Sequence, residues 1–111
     1  MYTAGSFTQA RKINQYLLND LNTSGPEQLI MKVYDFAILN CNKKNMIKTN
    51  EALQVLINTL NFEESAAKEI SIGLFRLYTY CQDQMRKQKY SEVLKILTEL
   101  RNSWREALQN K

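Results

Sequence analysis

From Ile13 onward the apolar residues of this chain recur mostly at helical spacing. Ile30, Tyr34, Ala37 and Cys41 fall at i, i+4, i+7 and i+11, one stripe of an amphipathic helix. Leu29, Val33 and Phe36 form a second line displaced by about 100° at 3.6 residues per turn. Ser24 or Gly25 can cap this helix, Pro26 suits its first position because its missing N–H would be unpaired there anyway, and Glu27 favours the positive end of the helix dipole. A first helix is therefore expected from Pro26 to Asn42, with more apolar surface than one buried face requires. Ahead of it, Ile13, Tyr16, Leu17 and Leu21 fit a short amphipathic turn or two, which Asn19, Asp20, Asn22 and Thr23 interrupt. A segment this short cannot hold a helix by propensity alone, so Tyr16, Leu17 and Leu21 are its expected docking residues.

Asn42–Asn45 reads as a tight connection with Asn45 as the next cap, followed by a helix over Met46–Asn61 with Met46, Leu53, Leu56, Ile57 and Leu60 on one side. Ser65 is the expected cap of a third helix over Ala66–Lys87. Ile70, Leu74, Leu77, Cys81 and Met85 make its stripe, widened by Tyr78, while Ile72 and Phe75 face the other way. Ser91 and Glu92 open the fourth helix, where Val93, Leu97, Leu100, Trp104 and Ala107 repeat at heptad spacing, backed by Leu94, Ile96 and Leu108. The stripes led by Ile30, Ile70 and Val93 are the expected core. Four amphipathic segments with short connections predict an all-α protein, an antiparallel up-down-up-down four-helix bundle. Residues 1–24 form a short helical or extended N-terminal segment, and 25–111 form the bundle of a single domain.

Composition supports this reading. The chain has 111 residues, enough for one core, with three glycines and one proline to interrupt helices. A mean hydropathy of −0.45 and no long uncharged apolar run argue against stable membrane insertion. Met1–Ala10 lacks a basic region followed by an apolar one, so the expected compartment is the cytoplasm.

There is no histidine, which removes the usual general base and metal ligand. Cys41 and Cys81 lack CxxC spacing and sit at apolar helix positions, so both are expected as buried free thiols. No catalytic constellation, metal set or cofactor motif is visible, and an enzyme is not expected. The net charge is +4, with basic clusters at Lys43–Lys44 and at Arg86, Lys87 and Lys89. Both clusters fall near helix C-termini, where cations complement the dipole; solvated end-charges account for them better than a nucleic-acid patch.

Three stretches point to a family. The first is Tyr16 with Asn22-Thr23-Ser24-Gly25-Pro26-Glu27-Gln28-Leu29 and Val33-Tyr34-Asp35; the second is Leu77-Tyr78-Thr79-Tyr80; the third runs from Leu97-Thr98-Glu99-Leu100-Arg101 to Trp104-Arg105-Glu106-Ala107. In this order the chain resembles the flagellin-export chaperones of the FliS family from Tyr16 to Leu108. It departs from that pattern in three ways. Phe36 stands where the family commonly has a glycine, Thr79 replaces an aspartate between two tyrosines, and the hairpins are shortened between Tyr34 and Met46 and between Tyr80 and Trp104.

The resemblance implies a cytoplasmic chaperone that binds the disordered C-terminal region of flagellin, prevents premature polymerisation, and escorts it to the type III export apparatus, with the export gate as a further partner. A disordered client needs several apolar anchors, because each buried Leu or Ile is worth about 1.5–3 kcal/mol against an ordering cost of about 2–5 kcal/mol. The surplus residues Leu29, Val33, Phe36, Ile72 and Phe75 are candidates for a client groove, although Leu29, Val33 and Phe36 fit ordinary core equally well. Tyr16, Leu17 and Leu21 become a displaceable lid. Tyr34, Tyr78, Leu100 and Trp104 belong to the family motifs and are expected in the core. Tyr80 could face solvent, line a groove or bond a neighbouring helix. The alternative reading is a structural helical module that homodimerises, or binds another helical protein, through the surplus apolar surface; the oligomeric state is open.

Overall fold

The computed structural model describes residues 26–109. It contains four helices, α1 (Pro26–Asn42), α2 (Met46–Asn58), α3 (Ser65–Arg86) and α4 (Tyr90–Gln109), and no strand among the described residues. Each helix packs most closely along its two neighbours in the ring order α1, α2, α3, α4, with α4 closing on α1, while α1 and α3 meet through side chains across the core. Short links between packed neighbours make each pair antiparallel, so the expected up-down-up-down bundle is the observed one. The N-terminal segment with Tyr16, Leu17 and Leu21, and the division of the chain at residue 24, lie outside the described residues.

The two hairpin turns at one end of the bundle have the same backbone design. After α1, Lys44 takes a left-handed φ of 59°, Asn45 N–H reaches the Asn40 carbonyl at 2.9 Å and Lys44 N–H the Cys41 carbonyl at 2.9 Å. After α3, Gln88 has φ 63°, Lys89 N–H reaches the Gln84 carbonyl at 2.9 Å and Gln88 N–H the Met85 carbonyl at 3.0 Å. This pair of bonds satisfies carbonyls that a helix end would otherwise leave open, and it favours glycine at the left-handed position. Neither turn has one. Gln88→Gly is therefore expected to raise stability by about 0.5–1 kcal/mol in urea titrations; an equal loss would mean the glutamine side chain supports the turn.

The remaining helix ends depart slightly from expectation. Asn45 caps α2 as expected, its side chain accepting from Lys48 N–H at 3.1 Å. α2 stops at Asn58 rather than Asn61, because Thr59 Oγ1 donates to the Leu56 carbonyl at 2.7 Å and closes the last turn. Ser65 is the first residue of α3 rather than its cap. The Asn61 side chain instead organises the link, accepting from Glu63 and Glu64 N–H at 3.0 and 3.2 Å, while Ser71 Oγ donates to the Asn61 carbonyl at 2.8 Å. Tyr90, expected in the turn, already belongs to α4.

The core draws on all four helices: Val33, Tyr34, Ala37 and Cys41; Ala52, Leu53 and Leu56; Tyr78, Cys81 and Met85; Val93 and Leu97. At its centre the Tyr34 and Tyr78 hydroxyls meet at 2.5 Å, and Trp104 Nε1 donates to Tyr34 Oη at 3.1 Å, joining α1, α3 and α4. Tyr34 and Tyr78 are fully buried, and Leu100 and Trp104 pack partly buried against the same cluster. Cys41 and Cys81 are buried free thiols; Cys41 Sγ donates towards the Tyr90 carbonyl at 3.4 Å, tying the end of α1 to the start of α4.

The expected α3 stripe is corrected. Ile70 is 67% exposed, Leu77 is only half-buried, and the buried face runs instead through Ser71, Tyr78, Cys81, Gln82 and Met85. Polar side chains turn inward there because they have partners. Gln82 Nε2 donates to the Asn50 carbonyl at 3.1 Å and to Gln54 Oε1 at 3.3 Å, and Asn50 Nδ2 returns a bond to the Gln82 carbonyl at 3.1 Å. An apolar count along the sequence does not register such a face. On α4, Ala107 likewise lies exposed instead of extending the Val93 stripe.

Candidate functional site

The seam between α3 and α4 is the least extensively packed of the four, and its two ends differ. Towards the hairpin turns it is bolted by polar side chains. The Tyr80 hydroxyl donates to Glu92 Oε1, and Gln84 Nε2 donates to Tyr80 Oη at 2.8 Å and to Glu92 Oε2 at 3.2 Å. The carboxylate that accepts the Tyr80 proton holds the phenol above its ordinary range. Of the three roles open to Tyr80, it takes the bond to a neighbouring helix.

Away from the turns the same helix edges carry apolar residues. One or two heptads before Gln84 on α3 stand half-buried Leu77 and exposed Ile70; Gly73, seven residues before Tyr80, is exposed, with nothing within 4 Å of where a Cβ would sit. The matching edge of α4 continues from Glu92 through half-buried Ile96 and Leu100 to exposed Ser103 and Ala107. Ile96 and Leu100 pack partly buried against the core, whereas Ile70 stands exposed on α3. The apolar spacing of α3 places Ile70 and Leu77 in the core; the structure leaves the first exposed and the second half-buried.

The groove candidates named from sequence occupy two separate places. Leu29 and Phe36 are partly buried on α1 beside Val33, which is 3% exposed and part of the core. Phe75 is 42% exposed on α3 and meets the equally exposed Phe62 edge-on at 6.1 Å between ring centroids, with Ile72 half-buried on the same helix. α1 and α3 lie diagonally across the bundle and meet only through core side chains such as Tyr34 and Tyr78, so the five residues do not share one helix–helix seam. Phe62, in the link before α3, escaped the sequence reading because it belongs to no periodic segment.

α2 lies between these two groups. It carries Glu51, a buried carboxyl whose Oε1 has no hydrogen-bond partner among the described residues. Burial raises its pKa, and Lys48 opposes that rise. On the other flank of α1, Arg101 Nε donates to Asp35 and ties α4 to α1 across that seam.

None of this suits covalent chemistry. Burial pushes the Cys81 thiol up to about 12 and raises that of Cys41, so both stay protonated and unreactive at neutral pH. Among the described residues no group of three or more His, Cys, Asp or Glu could hold a metal ion, and no helix is long and apolar enough to cross a membrane. What the surface offers is apolar contact.

The family model described as flagellar protein FliS matches residues 40–111, nearly two thirds of the chain. The chain belongs to the FliS family. The matched part begins in the last turn of α1 and includes both the Leu77–Tyr80 and the Leu97–Ala107 stretches, whereas the Tyr16–Asp35 stretch lies ahead of it. Membership in FliS supports a flagellar chaperone role, and the family is one of chaperones rather than enzymes. No curated protein and no solved structure gives a match. In this FliS chain, Phe36 packs partly buried against the core, and its carbonyl accepts from Asn40 Nδ2 at 2.9 Å.

Proposed function

We propose that this FliS-family protein is a cytoplasmic chaperone for the disordered C-terminal region of flagellin, holding it from premature polymerisation and escorting it to the flagellar type III export apparatus. The observation that carries the reading is the apolar surface left outside a closed core, above all exposed Ile70 on α3 and the exposed Phe62–Phe75 pair. A disordered segment with spaced apolar residues can lay successive side chains on such separated patches, which a compact partner could not reach at once. Leu29, Phe36, Ile72 and Phe75 remain in the proposed client surface; Val33 acts from beneath it. Tyr16, Leu17 and Leu21 are the proposed lid over part of that surface.

Calorimetric titration with a peptide from the flagellin C-terminal region tests this. Ile70 and Phe75 are exposed, so Asp at either position should leave the bundle folded while weakening binding by roughly tenfold or more, the worth of one buried apolar anchor. Deleting residues 1–20 should leave folding intact and binding no weaker. Undiminished affinity in both folded Asp variants would reject the client surface. A concentration-dependent dimer that ignores the peptide would favour the structural module instead.

A further inference from the structure

The two hairpin turns that share a backbone design also share a charge. Lys43 and Lys44 on the first, and Arg86, Lys87 and Lys89 at the second, are all exposed. They stand side by side at one end of the bundle: Lys44 Nζ lies 6.0 Å from the Tyr90 ring centroid, and Cys41 touches both Met85 and Tyr90 just beneath. Between the turns is an open cleft lined by Lys44, Gln88, Lys89, Tyr90, Ser91 and Glu92.

The carboxylates at this end are already committed. Asp83 pairs with Lys87 at 3.1 Å, and Glu92 is held towards α3 by Tyr80 and Gln84. Among the described residues Lys43, Lys44, Arg86 and Lys89 form no ion pair. Among the described residues the opposite end has the reverse balance, with Glu27, Glu63, Glu64, Glu69 and Glu106 against Lys68 and Arg105. Helix C-termini attract cations, but a dipole explains neither the concavity nor the segregation of charge along the bundle.

We propose that this basic end is a docking site for an acidic segment of another protein, with the ammonium groups of Lys44 and Lys89 flanking the cleft that receives its carboxylates. A polypeptide fits better than a bilayer. The turn residues Lys43–Asn45 and Lys87–Lys89 are all polar, and the exposed apolar side chains nearest them, Leu39 and Ile47, belong to the adjoining helices and give two isolated contacts rather than the acyl chain or amphipathic face that stable membrane attachment needs. The cleft is also concave, which suits a chain threading between the turns rather than a flat surface. This surface is separate from exposed Ile70 and Phe75, and the proposal does not depend on flagellin as client.

Fluorescence anisotropy with a labelled peptide of alternating Glu and Ser tests the assignment on the full chain. The double variant Lys44→Asn with Lys89→Gln removes both cleft charges while keeping a residue that tolerates the left-handed turn at position 44. It should weaken the peptide by about tenfold, and salt should weaken the parent protein in the same direction. Lys68→Gln with Arg105→Gln, which removes the same charge elsewhere, should leave affinity within about twofold. Equal losses in the two double variants would overturn the site as mere net charge. Tighter binding to phosphatidylserine vesicles or to duplex DNA than to the peptide would overturn the partner class.

Discussion

Tyr34→Ala is expected to destabilise the bundle by about 3–5 kcal/mol, against a total stability of about 5–15 kcal/mol for a domain of this kind. Tyr34 is fully buried, and its ring lies 6.4 Å from that of Tyr78 at a tilted angle. Removing it opens a cavity between α1, α3 and α4 and strips partners from two other side chains, since Tyr34 Oη accepts from Trp104 Nε1 and bonds the Tyr78 hydroxyl. The polar share can be isolated with Tyr34→Phe, which keeps the ring and leaves the Tyr78 hydroxyl and the Trp104 N–H short of a partner. That change is expected to cost about 1–3 kcal/mol. Urea unfolding followed by circular dichroism gives both numbers. A loss below about 1 kcal/mol for the alanine variant would mean the cluster is not the centre of the core.

The second large effect is alkaline unfolding. Burial raises the pKa of Tyr34 and Tyr78, lifts Cys81 from 9.0 to about 12, and raises Cys41. All four groups are neutral in the fold and can ionise freely once the chain unfolds. Their contribution is therefore fully present below the unfolded pKa values, near pH 9–10, and is lost as pH rises from there through the folded ones. Each group that keeps its proton only in the folded state steepens the fall by about 1.4 kcal/mol per pH unit. Stability should thus be level from neutrality to about pH 8.5 and collapse above about pH 10. Tyrosinate absorbance for Tyr34 and Tyr78 should appear together with unfolding rather than before it. Cys81→Ala should make the early part of the fall shallower. Equal stability at about pH 8 and pH 11 would contradict the buried, neutral state of these groups.

Phe36 illustrates how a departure from a family pattern is read in three dimensions. A ring there could have blocked α1 from α2 or stood free as an anchor. It does neither, lying partly buried against the core, as Leu29 does. The proposed client surface on α1 is consequently a margin of the core, while on α3 it is freestanding apolar surface. The α3 positions are therefore the cleaner ones to mutate.

The sequence alone determined where most helices begin and end, because those signals are local. α1 runs from Pro26 to Asn42 as the cap residues and periodicity predict, and Asn45 caps α2 through its own side chain. Connection lengths of a few residues then left little choice but antiparallel neighbours, and three motif stretches pointed to the FliS family that the matched region bears out. Tertiary structure decided which face of α3 turns inward. Gln82 and Ser71 could be buried only because Asn50, Gln54 and Asn61 present partners across the link and across α2, and no periodicity of apolar residues contains that information. The same rotation carries Ile70 outward. It is likewise the closure of the bundle that brings Lys44 within 6.0 Å of Tyr90 and turns two ordinary helix ends into one basic cleft. Helix boundaries follow from neighbours along the chain; surfaces follow from which helices meet, and that depends on every side chain between them.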